Sequence, residues 1–193
     1  MSKAVLISIR PQWCQKIASG EKAIEVRKTK PKLETPFKCY IYCTRDKHLA
    51  FMQNQTGTNL IACMDVDAAI PVGGAIGNGK VIGEFTCERI VPITYDGGRL
   101  WCPTNAAFSP ATCLSQAEII AYIGDKGRCY GWHISDLRIY DTPKELSEFK
   151  TLCRVDADCC ACPYYNYTKM DCDGRVIGRP PQSWCYVDDL QAK

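Results

Sequence analysis

The stretch Ser19-Gly20-Glu21-Lys22-Ala23-Ile24-Glu25-Val26-Arg27-Lys28 joins a glycine stop to a strand of alternating character. Gly20 suits the end of a helix, and AIEVRK after it has period two, so Ala23, Glu25 and Arg27 share one face while Ile24 and Val26 point the other way. With Lys22 at the mouth of the strand, a cation, a carboxylate and a guanidinium converge over a few ångströms.

Upstream, AVLISI (4–9) is a short β-rich run, and Pro11 suits the first turn of a helix through WCQKIASG. Downstream, FKCYIYC (37–43) and KVIGEFTCERIVPI (80–93) read as strands, the second with a bend at Gly83. Residues 44–78, with the glycine-rich GGAIGNG, read as an irregular insertion, and 94–113 as a second one. LSQAEIIAYIG (114–124) begins with a capping box, Ser115 and Glu118, and predicts a helix. CYGWHISDLRIYDTP (129–143) predicts strand, turn and strand, and LSEFK a helical turn. No internal repeat is visible. The expected class is α+β: a small closed or partly open β-barrel with flanking helices over 1–150, a Cys-rich insertion at 151–178, and a closing segment, 179–193, returning to the barrel.

The chain has 193 residues, 46% hydrophobic and 23% charged, which excludes a wholly disordered or low-complexity chain. The longest uncharged stretch, 100–117, contains Pro103 and Pro110 and does not read as a membrane span. MSKAVLISIR is too short for a secretory signal, and the expected location is the cytoplasm. Net charge is +3, unevenly spread: residues 1–50 carry eleven Lys or Arg against four acids, +7, and the remainder sums to −4. That asymmetry is expected of a face that attracts a polyanion, although a solvated lysine-rich loop at 28–32 produces it too.

Four pieces in order carry a resemblance. Lys22, Glu25 and Arg27 match the G-x-K-x-x-E-x-R signature of the ASCH domain, a branch of the PUA-like superfamily. SIRPQWCQKIASG resembles its opening, VIGEFTCERI its central strand, and GWHISDLRIY with RPPQSWCYV its closing elements. The resemblance implies a PUA-like barrel with a cleft near the signature that binds single-stranded RNA or a modified nucleotide.

In such a cleft Arg27 can grip a phosphate through two parallel hydrogen bonds, Lys22 acts as a mobile point charge, and Trp13 or Trp184 stacks on a base. The candidate ligand-binding set is Arg10, Trp13, Lys22, Glu25, Arg27, Lys28, Ser183 and Trp184. The residues alone also allow Glu25 and Arg27 to do no more than pair across a wet face.

Some small ASCH proteins are amidohydrolases of acetylated cytidine and others are linked to RNA cleavage, which makes a nucleoside amidohydrolase or ribonuclease the alternative. Its catalytic set would be Lys22, Glu25 and Glu84, but the family's threonine position is Glu25 here. A carboxylate there acts as a base or an anchor, and Lys22 between Glu25 and Glu84 is expected to stay protonated. Binding is therefore expected ahead of hydrolysis. His48 and His133 are the only histidines, which strains any scheme that needs two.

Fourteen cysteines in a chain without an export signal are expected to be mostly reduced. Cys153, Cys159, Cys162 and Cys172 stand apart: four thiols within twenty residues, with a CxxC, can hold one structural zinc. Reduced thiols or a disulfide between neighbours remain open for them. Tyr164, Tyr165 and Tyr167 lie among them and can wrap the site or stack on a nucleotide.

Overall fold

The computed structural model describes residues 3–53, 59–63, 75–104, 110–151, 165–166, 171–172 and 174–190, with backbone alone at 59–63, 165–166 and 171–172. The elements run β1 (Lys3–Ile9), α1 (Pro11–Ala18), β2 (Ile24–Arg27), β3 (Phe37–Cys43), β4 (Leu49–Gln53), β5 (Asn59–Cys63), β6 (Ala75–Ile76), β7 (Val81–Asp96), β8 (Arg99–Trp101), α2 (Gln116–Ile123) and β9 (Arg128–Lys144). They end with β10 (Lys150–Thr151), β11 (Tyr165–Asn166), β12 (Asp171–Cys172), β13 (Arg175–Val176) and β14 (Trp184–Asp188). No helix among the described residues is long and apolar enough to cross a membrane.

The main sheet has the order β13-β10-β14-β1-β3-β7-β9-β2, with β8 hairpinned onto β7. β1 and β3 are parallel and their other neighbours antiparallel. The crossover between β1 and β3 carries α1 and β2, as a parallel pair requires. β1 is covered on both faces, which is why AVLISI is apolar without alternation. Val5, Ile7 and Ile9 pack with Cys14, Ile17, Phe85 and Trp132 in one core, while Ala4 and Leu6 meet Tyr40, Phe149 and Val187 in another. α1 buries Pro11, Cys14 and Ile17, one stripe at spacing three.

The sheet is not closed into a barrel, which corrects the expectation of a closed one. Both edges of β1 are already taken, by β14 and β3, so the four-residue β2 finds no free edge there and the ladder stops. The sheet nevertheless curls strongly. Trp132 on β9 and Trp184 on β14, separated by β7, β3 and β1, have ring centroids 6.0 Å apart; in a flat sheet four strand spacings would hold them about 19 Å apart.

Three further expectations are corrected. Within 44–78, LAFMQ and its partners form a separate three-stranded sheet, β5-β4-β6, with Phe51 buried against the main core. Within 94–113, Gly97 and Gly98 at φ +56° and +83° make the tight turn that returns β7 into β8. CYGWHISDLRIYDTP is one long strand, because β9 absorbs its irregularity in register shifts against β7 and in Asp136 at φ +47°. The capping box at Ser115 and Glu118 is present, and LSEFK supplies a 3-10 turn at Leu146–Glu148.

Candidate functional site

Where β2 faces the end of β1 and the start of α1, a cavity of about 480 Å³ opens to solvent. Its floor is the Lys22, Glu25 and Arg27 cluster, each residue at most 9% exposed. The Glu25 carboxylate lies between two cations: Oε1 is 3.0 Å from Arg27 Nη2 and Oε2 is 3.5 Å from Lys22 Nζ. Arg27 Nη2 also donates to the Ser8 carbonyl at 2.6 Å. Lys22 Nζ donates to the Thr112 carbonyl at 2.5 Å and stands 5.1 Å from the centre of the Trp13 ring. Burial pushes the Lys22 ammonium below its ordinary value, and the attraction of Glu25 only partly offsets it. This direction is opposite to the one expected from two flanking carboxylates.

Arg27 Nε and Glu25 Oε2 are buried and make no hydrogen bond within the protein, although Oε2 keeps its ion pair with Lys22. The cavity is walled by Arg10 and Trp13, by Glu118 and Tyr122 of α2, and by Gln182 and Ser183. The last wall is held by Ser8, whose amide donates to the Ser183 carbonyl at 2.9 Å and whose hydroxyl donates to that of Pro181 at 2.6 Å.

The structure thus brings Arg10, Trp13, Lys22, Glu25, Arg27 and Ser183 together. It does not bring Glu84, Trp184 or Lys28 into the same cavity. Glu84, on β7, accepts from the Tyr140 hydroxyl at 2.6 Å and lies 3.6 Å from Lys38, in a separate depression of about 450 Å³. Burial, and then the bond to Glu84, push the Tyr140 hydroxyl well above its usual value. Trp184 sits against Trp132 and Tyr186, with its Nε1 donating to Thr29 Oγ1 at 3.0 Å, so its ring is a strut of the core. Lys28 stands just outside, its ammonium 5.2 Å from the centre of the Tyr122 ring.

Cys153, Cys159 and Cys162 lie outside the described residues. For Cys172 the backbone alone is described, paired with Tyr165 in the β11-β12 ladder.

Thr44, Leu114, Tyr122, Gln182 and the Thr112 carbonyl were not foreseen as parts of the site. Glu118 had been read as a helix cap, which it also is. Gln182 and Tyr122 offered a signal only as polar groups on elements adjoining the signature, and a backbone carbonyl ninety residues from Lys22 offers none.

No family model and no curated protein matches the chain. Solved structures do. The ASCH protein of Zymomonas mobilis aligns with a TM-score of 0.54 at 17% identity, over 96% of this chain and 88% of that one. A point mutant of the same protein aligns with a TM-score of 0.53 at 18% identity, over 97% and 92%. The chain has the ASCH fold.

Proposed function

We propose that this chain binds single-stranded RNA or a modified nucleotide in the cavity floored by Lys22, Glu25 and Arg27. The observation that carries the reading is the cluster itself, two cations about one carboxylate with Arg27 Nε making no hydrogen bond, on the lining of a cavity open to solvent. One carboxylate between two cations leaves a net positive charge for a phosphate and an acceptor for a base N–H. Trp13, half-buried on the wall, offers a ring to a base.

Hydrolysis of an acylated nucleoside, or ribonuclease action, draws less support. Glu84 lies in another depression, and Lys22 is engaged by the Thr112 carbonyl. Lys22 and Glu25 alone remain in the cavity from that catalytic set.

The test is a titration with labelled single-stranded RNA at about 50 and about 200 mM salt, in which affinity falls as salt rises. Trp13→Ala weakens binding by about 1–3 kcal/mol, the usual worth of one stacked base. No binding at the lower salt, together with release of acetate from acetylated cytidine, would replace this reading by the hydrolase.

Structural zinc on Cys153, Cys159, Cys162 and Cys172 belongs to the same proposal, on the strength of four thiols and a CxxC within twenty residues. Four thiolates would close the coordination sphere, which makes the metal a fastener of the insertion.

A further inference from the structure

Beside the cavity lies a second depression of about 430 Å³, lined by Lys28, Thr29, Lys30, Lys126, Arg128 and Tyr130. Its four cations come from two separate parts of the chain. Lys28 and Lys30 follow β2, and Lys126 and Arg128 lead into β9; the ladder between these strands sets Arg27 opposite Tyr130 and so joins the two parts. All four are exposed, and among the described residues no carboxylate lines the depression.

A solvated lysine face ordinarily intersperses acids, because unopposed cations at short range repel. Here the repulsion is met by aromatic faces: Lys28 Nζ stands 5.2 Å from the centre of the Tyr122 ring, and Lys30 Nζ stands 5.8 Å from that of Tyr130. Tyr122 lines the cavity, and Lys28, on the lining of the depression, reaches over its ring, so the two spaces adjoin there. Along the chain the cluster at Glu25 and Arg27 is followed directly by Lys28 and Lys30.

We infer that this depression carries the phosphodiester backbone of a single strand whose nucleotide occupies the cavity, so that the ligand is a polynucleotide rather than a free nucleotide. The inference rests on the nucleic-acid reading of the cavity and adds the substrate class. A free nucleoside has no use for four cations placed beyond its own pocket. A chain of phosphates does, since each neutralised phosphate releases counterions and adds to affinity.

The experiment compares uridine monophosphate with oligouridylates of about 3 and about 12 nucleotides, against the full chain at two salt concentrations. The longer oligonucleotide binds on the order of 100-fold more tightly than the monophosphate near 0.1 M salt. The triple variant Lys30→Gln, Lys126→Gln, Arg128→Gln loses that advantage, and its log-log salt slope shrinks by roughly 2, at about 0.7 per phosphate contact on a single strand. Monophosphate affinity stays as in the wild type. The charge-conserving variant Lys30→Arg, Lys126→Arg, Arg128→Lys retains the advantage, which separates charge from folding.

Equal affinity for monophosphate and oligonucleotide, or a triple variant with unchanged slope, would overturn the inference. Binding weakened in Trp13→Ala but kept in the triple variant leaves the cavity reading standing and removes the backbone groove. The reverse pattern keeps the groove and removes the cavity reading. No binding of any probe removes both.

Discussion

The Arg27 guanidinium donates to the Ser8 carbonyl at 2.6 Å and so ties β2 to β1, two strands that share no backbone ladder. The same guanidinium pairs with Glu25, so one side chain both fastens the sheet's free end and prepares the cavity floor.

Removing that side chain leaves a buried carboxylate with Lys22 as its remaining charge partner. Arg27→Ala should destabilise the fold by about 3–5 kcal/mol, the usual cost of breaking a buried pair. The triple variant Lys22→Met, Glu25→Gln, Arg27→Met should lose less than Arg27→Ala, because no buried charge is left without its partner. Denaturant unfolding of the three proteins checks this, and a triple variant less stable than Arg27→Ala would contradict it.

At the start of α2, the Ser115 amide and then its hydroxyl hold the Glu118 carboxyl below its usual value. A lowered carboxyl stabilises the fold fully above its unfolded value, about 4.3, and that contribution disappears as pH falls through the lower folded value. Ser115→Ala should cost about 1 kcal/mol near neutral pH. The gap between variant and wild type should narrow below about pH 4.3, as Glu118 protonates. Thermal melts across that range supply the measurement, and a gap independent of pH would count against the linkage.

Gly83 lies at a register shift between β7 and β9, and a Cβ there would stand 2.5 Å from the Arg138 carbonyl oxygen. Because the obstacle is backbone in the sheet's longest ladder, Gly83→Ala should cost about 1–3 kcal/mol. Gly178→Ala, where a Cβ meets nothing within 4 Å, is the control and should melt close to the wild type.

The proposed zinc predicts one equivalent of metal in protein purified under reducing conditions. Cys159→Ser and Cys162→Ser should each abolish it. Chelation should loosen the insertion while the main sheet stays protected in hydrogen exchange. Metal-free protein with an unchanged exchange pattern would discard the site.

The strands whose apolar runs are long and uninterrupted were legible: β1, β3 and most of β7 follow their residues, as do α1 with its proline start and α2 with its capping box. The floor of the site was legible for a local reason, since three charged side chains within six residues share a turn and one strand face. Glu84 was not. Its sequence environment resembles a central strand, but which face of the sheet it presents depends on the register of β7 against β3 and β9, which shifts at three places against β9, and the sequence announces only the one at Gly83. Trp184 was misread because a tryptophan that stacks on a base and one that braces Trp132 have the same local surroundings in sequence. β4 was hidden because LAFMQ and its partners NLIAC and AI are short runs separated by stretches rich in glycine and polar residues.

The wall formed by Gln182 and Ser183 has an implication for when the cavity exists. Ser8, 173 residues before Pro181, is one of its two anchors, and β14 seats on β1. During synthesis β1, α1 and β2 emerge early with Lys22, Glu25 and Arg27 among them, yet the Gln182 and Ser183 wall is missing until the segment past residue 180 has left the ribosome. The cavity is therefore completed late, and a truncation before that segment would leave a charged, half-open trough.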